Sequence, residues 1–226
     1  FIRANQIQDE VIVMTKIPSL KDKPDFQKQI QVNLESSLKN LGCPIDVLFF
    51  HHPPDSALLL RYPEFFENLL RDSPVSTLGV SVYEKKEVES LAECLFELAF
   101  QFPLNVLDRR FEQVSMPKSK RYARSIFLQG LLATQNALRP DAPEELFNLQ
   151  NEYHNRLTDH HLDPIGYAVS FVNRNNFVDY FLFGVDTVSQ LQDILDSEQY
   201  EQKDMDILDK LAMNVNEQWC DPRTWN

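Results

Sequence analysis

Apolar runs of strand length alternate along the chain with stretches of helical spacing, and the clearest run is IDVLFFHHP at residues 45–53. Five of its first six residues are apolar, and the run stops at His51 and His52. A continuous apolar run of this kind predicts a strand buried on both faces, which delivers the residues after it to the edge of a sheet or the mouth of a barrel. The two histidines are therefore candidates for chemistry.

The alternation of strand and helix patterns continues through the rest of the chain. Strands are predicted at residues 9–16, 45–51, 75–81, 97–105, 122–130 and 177–184. Helices are predicted at residues 25–42, 64–71, 84–95, 143–158, 164–173, 187–195 and 203–218. The charged segment 108–120 has neither period. About six strand–helix units in alternation predict an α/β fold with a parallel sheet covered by helices.

Two parallel architectures have this alternation, the doubly wound open sheet and the (β/α)8 barrel. No glycine-rich GxGxxG turn follows any predicted strand. Polar side chains recur at the carboxyl ends of the strands, namely Lys16, His51, Ser81, Gln101, Ser125 and Asp186. In a barrel these ends converge on one mouth, so we expect a (β/α)8 TIM barrel with about six βα units present, forming a single domain over residues 1–226.

Composition narrows the classes of partner. The net charge of −12 offers no basic surface to a phosphate backbone, so we expect neither nucleic acid nor an anionic membrane as a partner. No apolar run approaches the roughly 18 residues of a membrane span, and the first residues lack the layout of a signal peptide, which predicts a cytoplasmic protein. Cys43, Cys94 and Cys220 are too scattered for a disulfide framework or a zinc site, so no metal is predicted.

The residues at the strand ends have both functional and plain structural interpretations. At a barrel mouth, Lys16 can lower the pKa of a neighbouring phenol, although solvated lysines are also common at strand ends. Because consecutive strand residues point to opposite faces, His51 shares a face with Phe49 while His52 points the other way, which excludes chelation by the pair. Ser81 and Gln101 can each hydrogen-bond an amide or hydroxyl ligand.

The order and spacing of several segments resemble the aldo-keto reductase family of NAD(P)H-dependent carbonyl reductases. The segments are VIVMTK, SLKNLG, IDVLFFHHP, LGVS, FQFPLN, YARSIFLQGLL and FGVDTVSQL. The resemblance implies hydride transfer from NADPH or NADH to an aldehyde or ketone, hence a small-molecule carbonyl substrate. In that family a segment like DTAxxYG carries a catalytic Asp and Tyr. It would precede Phe1, so we expect a barrel that lacks its two N-terminal βα units.

The resemblance also implies roles for individual residues. Lys16 matches the lysine that lowers the pKa of the catalytic tyrosine, and His51 matches the histidine that orients the substrate. Ser81 and Gln101 match residues that hold the nicotinamide carboxamide, and Arg124 stands where an aromatic residue commonly stacks on the nicotinamide. The other expected cofactor contacts are Ser125, Gly184, Ser189 and Gln190. Basic residues that grip a 2′-phosphate are not evident after Gly184, so NADPH and NADH both remain open.

Three functions are compatible with these features. The first hypothesis is a carbonyl reductase in which Lys16 and His51 are the catalytic residues supplied by this sequence. The second is a catalytically inactive aldo-keto reductase-like module with a binding or regulatory role. It is favoured by the missing Asp and Tyr and by Val82, which replaces the Asn usual after the serine. The third is a different barrel enzyme, because a fold does not determine chemistry. Substrate and oligomeric state are not predicted.

Overall fold

The computed structural model describes residues 2–5, 7, 10–21, 23–116 and 119–225. The chain forms two compact units. Unit 1 comprises Phe1–Phe102 and Val114–Arg121, and unit 2 comprises Pro103–Gln113 and Tyr122–Asn226. A single domain over residues 1–226 stays a prediction, and the two units are described separately below.

Strands and helices alternate through the described part of the chain. The six strands are β1 Met14–Ile17, β2 Ile45–Phe50, β3 Val75–Ser81, β4 Leu98–Pro103, β5 Lys120–Arg124 and β6 Tyr180–Phe181. The α-helices are α1 Ile2–Asn5, α2 Phe26–Leu41, α3 Ala57–Arg61, α4 Pro63–Asp72, α5 Lys85–Glu89, α6 Glu144–Asp159, α7 Pro164–Asn173, α8 Val188–Leu195, α9 Gln202–Met205 and α10 Asp209–Asn214. Short 3-10 helices lie at Pro53–Ser56, Arg110–Gln113, Leu128–Gly130, Asp206–Leu208, Glu217–Cys220 and Pro222–Thr224. The predicted α/β class is confirmed, with parallel strands and helices as in an incomplete (β/α)8 barrel.

In unit 1, strands β1 to β4 pair in chain order, and each pairing is parallel. Helix α2 connects β1 to β2. It begins after Asp25, whose carboxylate accepts a hydrogen bond from the Lys28 amide at 3.1 Å, and it ends at Gly42, which has a left-handed φ of 69°. These are the favoured N-terminal and C-terminal caps, so local sequence sets both ends of the helix.

One face of the unit 1 sheet packs on helices. Phe50 of β2 pairs in register with Ile17 on one side and Val80 on the other, and all three side chains are buried. The ring of Phe50 meets Phe66 of α4 edge to face, with centroids 5.8 Å apart. The face that carries Phe50 is therefore the outer, helix-covered face, and alternate residues of each strand point to the inner face.

In unit 2, β5 and β6 pair in parallel, and the rings of Tyr122 and Tyr180 stack with centroids 5.1 Å apart. Two buried polar groups of this unit, the Tyr167 hydroxyl and the Asp108 carboxylate, are paired. The Tyr167 hydroxyl donates to the Met205 carbonyl at 2.7 Å. Arg110 donates two hydrogen bonds, each of 2.8 Å, to the fully buried Asp108 carboxylate. Pairing of this kind is what makes burial of such groups tolerable.

Several predicted strands are shorter than expected. The strand predicted at residues 122–130 ends at Arg124, because Ser125 takes a left-handed φ of 59°. The first predicted strand starts at residue 9, which lies outside the described residues, and β1 begins only at Met14. The preceding amide, that of Val13, donates to the Asp46 side chain at 2.7 Å instead of to a strand partner. The predicted strand 177–184 is reduced to Tyr180–Phe181, because the Asn175 side chain accepts from the Phe177 amide and forms a turn there.

Two predicted helices are also interrupted. In place of helix 84–95, α5 ends at Glu89, and the amides of Leu91, Ala92 and Cys94 bond three residues back in tight turns. In place of helix 203–218, the chain forms α9, a 3-10 turn and α10. Among the side chains that the structure describes in this segment, Met205, Leu208 and Leu211 are buried, and their spacing of three suits the 3-10 geometry.

Candidate functional site

The inner face of unit 1 carries a row of residues that fixes where the predicted site residues lie. Lys16 pairs in register with Phe49, Phe49 with Gly79, and Gly79 with Ala99. The ring of Phe49 covers Gly79 so closely that a Cβ added to the glycine would lie 2.5 Å from Phe49 Cδ1. Lys16 therefore projects on the face opposite to the helix-covered one.

Ser81 and Gln101 lie two residues beyond Gly79 and Ala99, toward the carboxyl ends of β3 and β4, and therefore on the same inner face. They are register partners, and both are buried, at 1% and 5% exposure. Lys16 Nζ donates to Gln101 Oε1 at 2.6 Å, so the structure brings a predicted catalytic residue against a predicted cofactor contact. Their proximity was not evident from sequence, because 85 positions separate them.

The Lys16–Gln101 hydrogen bond also reports on the curvature of the sheet. Strands β1 and β4 are separated by β2 and β3. In a flat sheet their side chains would stand parallel to one another, about 14 Å apart, because neighbouring strands are spaced by about 4.8 Å. A direct hydrogen bond between them means that the inner face of these four strands is concave, as in the wall of a barrel.

The Ser81 hydroxyl is buried, and its Oγ has no hydrogen-bond partner among the described residues. A buried polar group without a partner is uncommon, and it calls for a ligand or a water. A carboxamide carries one oxygen acceptor and two N–H donors, which match a hydroxyl beside a glutamine amide. The residues present therefore fit the nicotinamide carboxamide of a cofactor.

His51 and His52 follow β2 and have different surroundings. The His51 amide donates to the Ile17 carbonyl at 3.3 Å, which continues the β1–β2 ladder by one residue, and the His51 side chain is exposed. His52 Nδ1 is shielded from solvent and lies 3.3 Å from Asp55 Oδ1, without the alignment of a hydrogen bond. His52 thus lies beside Asp55, and His51 is exposed at the end of the strand.

The other predicted residues lie in unit 2. Arg124 Nη1 donates to Ser125 Oγ at 3.2 Å. Ser125 has a φ of 59°, a left-handed conformation that is uncommon for a residue other than glycine. Its carbonyl accepts from Asn105 Nδ2 at 3.1 Å, and Asn105 is fully buried. The chain therefore holds a strained residue directly after β5, and such strain is concentrated at functional sites.

Gly184, Ser189 and Gln190 lie before and in the first turn of α8 and are exposed. A helix N-terminus attracts anions, as the prediction of a phosphate site requires. The Gln190 Oε1, however, accepts from the amides of Asp186 and Thr187, and Thr187 Oγ1 accepts from the Gln190 amide. In this arrangement the side chain of Gln190 caps the helix.

Two polar residues that hold the segments of the site, the partly buried Asp55 and the buried Asn105, were not predicted from the sequence. Asp55 ties the segment after β1 to the segment after β2, and its signal in the sequence is an acidic residue in a Pro-Pro-Asp helix start directly behind the histidines. Asn105 holds Ser125, and it also accepts from the amides of Leu107 and Asp108, both at 2.9 Å. An Asn at the end of an apolar strand signals such a turn.

A sequence model of the family described as "Aldo/keto reductase family" matches residues 1–213. The chain belongs to the aldo/keto reductase family. Aldo/keto reductases are oxidoreductases that act on small-molecule carbonyl compounds and generally use NAD(P)H, and the family resemblance carried by the sequence motifs is thereby confirmed. No curated protein matches the chain with significant similarity.

Neither a metal-binding cluster nor a membrane-spanning helix is found among the residues that the structure describes. No group of three or more His, Cys, Asp or Glu side chains is arranged to hold a metal ion in the described part of the chain. Among the helices of those residues, none combines the length and apolar character needed to cross a bilayer.

Proposed function

We propose that this aldo/keto reductase transfers a hydride from NADPH or NADH to the carbonyl carbon of a small aldehyde or ketone. The observation that supports this function most directly is the inner-face cluster, in which Lys16 is hydrogen-bonded to Gln101 beside the buried, unsatisfied hydroxyl of Ser81. The cluster lies at the carboxyl ends of parallel strands, where barrel enzymes place their active sites.

In the proposal, Ser81 and Gln101 bind the carboxamide of the nicotinamide ring. The bound cofactor supplies the hydride. Burial of both side chains excludes water, so their hydrogen bonds to the carboxamide are stronger than they would be at an exposed site. Further cofactor contacts are assigned to Arg124, Ser125, Gly184, Ser189 and Gln190. Gln190 would contribute by holding the helix start through its capping bonds.

Lys16 and His51 are proposed to act on the carbonyl oxygen. His51 orients the substrate by donating a hydrogen bond to that oxygen. A phenol protonates the carbonyl oxygen. The ammonium of Lys16 lowers the pKa of that phenol, because a nearby cation favours the phenolate. In the family pattern that phenol belongs to a DTAxxYG-like segment, which is not among residues 1–226, and Tyr62, Tyr83 and Tyr122 stand in other contexts.

A cytoplasmic location is part of the proposal. Cys43, Cys94 and Cys220 are all free thiols in the structure. Free thiols fit a reducing compartment, which also keeps a supply of reduced nicotinamide cofactor.

The first experiment is titration with NADPH and NADH, followed by quenching of tryptophan fluorescence. We expect saturable binding of at least one cofactor, weakened in Ser81→Ala and Gln101→Leu. Absence of binding by either cofactor to the wild-type chain would overturn the proposal. Turnover of a panel of small aldehydes and ketones, followed by the loss of NAD(P)H absorbance, should then be lost in Lys16→Met and His51→Ala.

A second function is favoured by Val82, which stands in place of the Asn usual after the serine. It is a cofactor-binding module without catalysis. Saturable cofactor binding together with no turnover of any carbonyl compound would identify this function in place of the first.

A further inference from the structure

One carboxylate connects the two segments that carry the proposed catalytic residues. Asp55 lies in the 3-10 helix Pro53–Ser56, four positions after His51, and its side chain is only 11% exposed. Its helix is held in place by Ser56, whose buried hydroxyl donates to the Pro53 carbonyl at 2.6 Å. The position of the Asp55 carboxylate is therefore well defined.

The two oxygens of Asp55 contact different segments. Oδ2 accepts a hydrogen bond of 2.8 Å from the Leu20 amide, in the segment that leaves β1 after Lys16. Oδ1 lies 3.3 Å from His52 Nδ1, next to His51 in the segment that leaves β2. Because Leu20 is itself buried, the contact anchors the segment after Lys16 to the body of unit 1.

The opposite end of the same strand pair has a matching bond. Asp46, near the start of β2, accepts a hydrogen bond of 2.7 Å from the Val13 amide, just before β1. Both carboxylates thus join the β1 segment to the β2 segment through one backbone amide. Only Asp55 does so at the carboxyl end, where Lys16 and His51 lie.

We propose that Asp55, which itself lies in the segment after His51, is a positioning residue for the carbonyl reduction. It holds the segment after Lys16 at a fixed separation from its own segment through the Leu20 amide. This inference rests on the proposed function. Its physical basis is that a misplacement of about 1 Å between reacting groups can lower a rate by about 100-fold, even when the change lies outside the chemistry.

The test compares Asp55→Ala with Asp46→Ala in the full chain, with Asp55→Asn as the conservative variant. Each alanine variant loses one carboxylate–amide bond, so both should lower the urea midpoint of unfolding by similar amounts. Hydrogen exchange should accelerate at the Leu20 amide in Asp55→Ala and at the Val13 amide in Asp46→Ala, which verifies that each variant breaks its own contact.

Turnover then separates positioning from stability. We expect Asp55→Ala to lower kcat at least tenfold while the Kd of the cofactor changes less than twofold. Asp46→Ala should keep kcat within twofold of wild type. Asp55→Asn retains an oxygen acceptor for the Leu20 amide and should recover most of the lost kcat.

The outcomes also distinguish this inference from the proposed function. If the wild-type chain turns over no carbonyl compound, the proposed function fails and the inference fails with it. If the wild-type chain is active and Lys16→Met and His51→Ala are inactive, but Asp55→Ala has the same kcat as Asp46→Ala, the inference alone is wrong.

Discussion

Lys16 on β1 is hydrogen-bonded to Gln101 on β4 at 2.6 Å, although two other strands separate them. The bond requires a concave sheet, and it holds the Gln101 amide in one orientation beside Ser81. Because Lys16 and Gln101 share this hydrogen bond, a change at Gln101 should affect the proposed catalytic role of Lys16, and a change at Lys16 should affect the proposed binding of the cofactor by Gln101. Measurements on either side chain can therefore test the arrangement.

The first prediction concerns Gln101→Leu, which removes the acceptor of Lys16 and the proposed partner of the carboxamide. Leaving a buried hydrogen-bonding group such as the carboxamide without its partner costs about 1–3 kcal/mol, so the Kd of the cofactor should rise about tenfold or more. Fluorescence titration measures it. Gln27→Leu, an exposed position on α2, is the matched control and should leave the Kd unchanged. An unchanged Kd in Gln101→Leu would remove Gln101 from the cofactor site.

The second prediction concerns Gly79→Ala. The added Cβ would meet the Phe49 ring at 2.5 Å and the Ala99 carbonyl oxygen at 3.0 Å, and the backbone oxygen cannot easily move. Overpacking of this kind destabilises by about 1–3 kcal/mol, measured as the free energy of unfolding in urea.

The control for Gly79→Ala is Gly184→Ala, because an added Cβ there has no atom within 4 Å. It should leave stability unchanged. In the Phe49→Leu background, Gly79→Ala should lower the free energy of unfolding by less than it does in the wild-type chain. Equal stability of the two single alanine variants would contradict the close packing of Phe49 on Gly79.

The third prediction concerns pH and the buried His154 of α6. Its Nε2 lies 3.0 Å from the Leu131 carbonyl oxygen, and burial lowers the pKa of the imidazole. The folded state thus binds the proton less tightly than the unfolded state, whose histidine pKa is about 6.5. The contribution of His154 to stability is fully present above that pH and declines as the pH falls below it.

Urea midpoints measured between about pH 8 and pH 5.5 test the His154 prediction, because linkage allows a slope of up to about 1.4 kcal/mol per pH unit for one proton. His154→Gln keeps an N–H donor for Leu131 and should flatten the slope. His160→Gln, in the exposed turn after α6, should keep it. The same slope in wild type and His154→Gln would assign the pH dependence to other groups.

The fourth prediction concerns the buried ion pair of unit 2. Asp108→Asn leaves the Arg110 guanidinium, whose side chain is 21% exposed, with the more distant and exposed carboxylate of Glu217, 3.9 Å from its Nη1. Breaking a buried pair typically costs about 3–5 kcal/mol, so the free energy of unfolding should fall by about 3 kcal/mol. Asp72→Asn, which breaks the exposed pair with Arg71, should leave the urea midpoint unchanged. Equal midpoints for the two variants would contradict a structural role of the Asp108–Arg110 pair.

Much of the fold could be predicted from periodicity alone. Helix 164–173 has the predicted ends, and β3 has the predicted bounds, because prolines, caps and apolar runs act over a few residues. The prediction from sequence was wrong where a distant side chain determines the backbone conformation. An example is the start of β1, where the Val13 amide donates to the Asp46 side chain. The prediction of one helix at residues 203–218 was also wrong. The buried residues from Met205 to Leu211 have a spacing of three, and the chain forms two short α-helices and a 3-10 helix there.

The sequence by itself determined the family, the parallel α/β class and the candidates Lys16, His51, Ser81 and Gln101, whose roles remain predictions. These follow from local patterns and from the polar residues that end each apolar run. Only the tertiary structure decided that Lys16 meets Gln101 and that Asp55 joins two segments 35 positions apart. The reason is physical, because such bonds depend on the curvature and register of the whole sheet, which no short stretch of sequence contains.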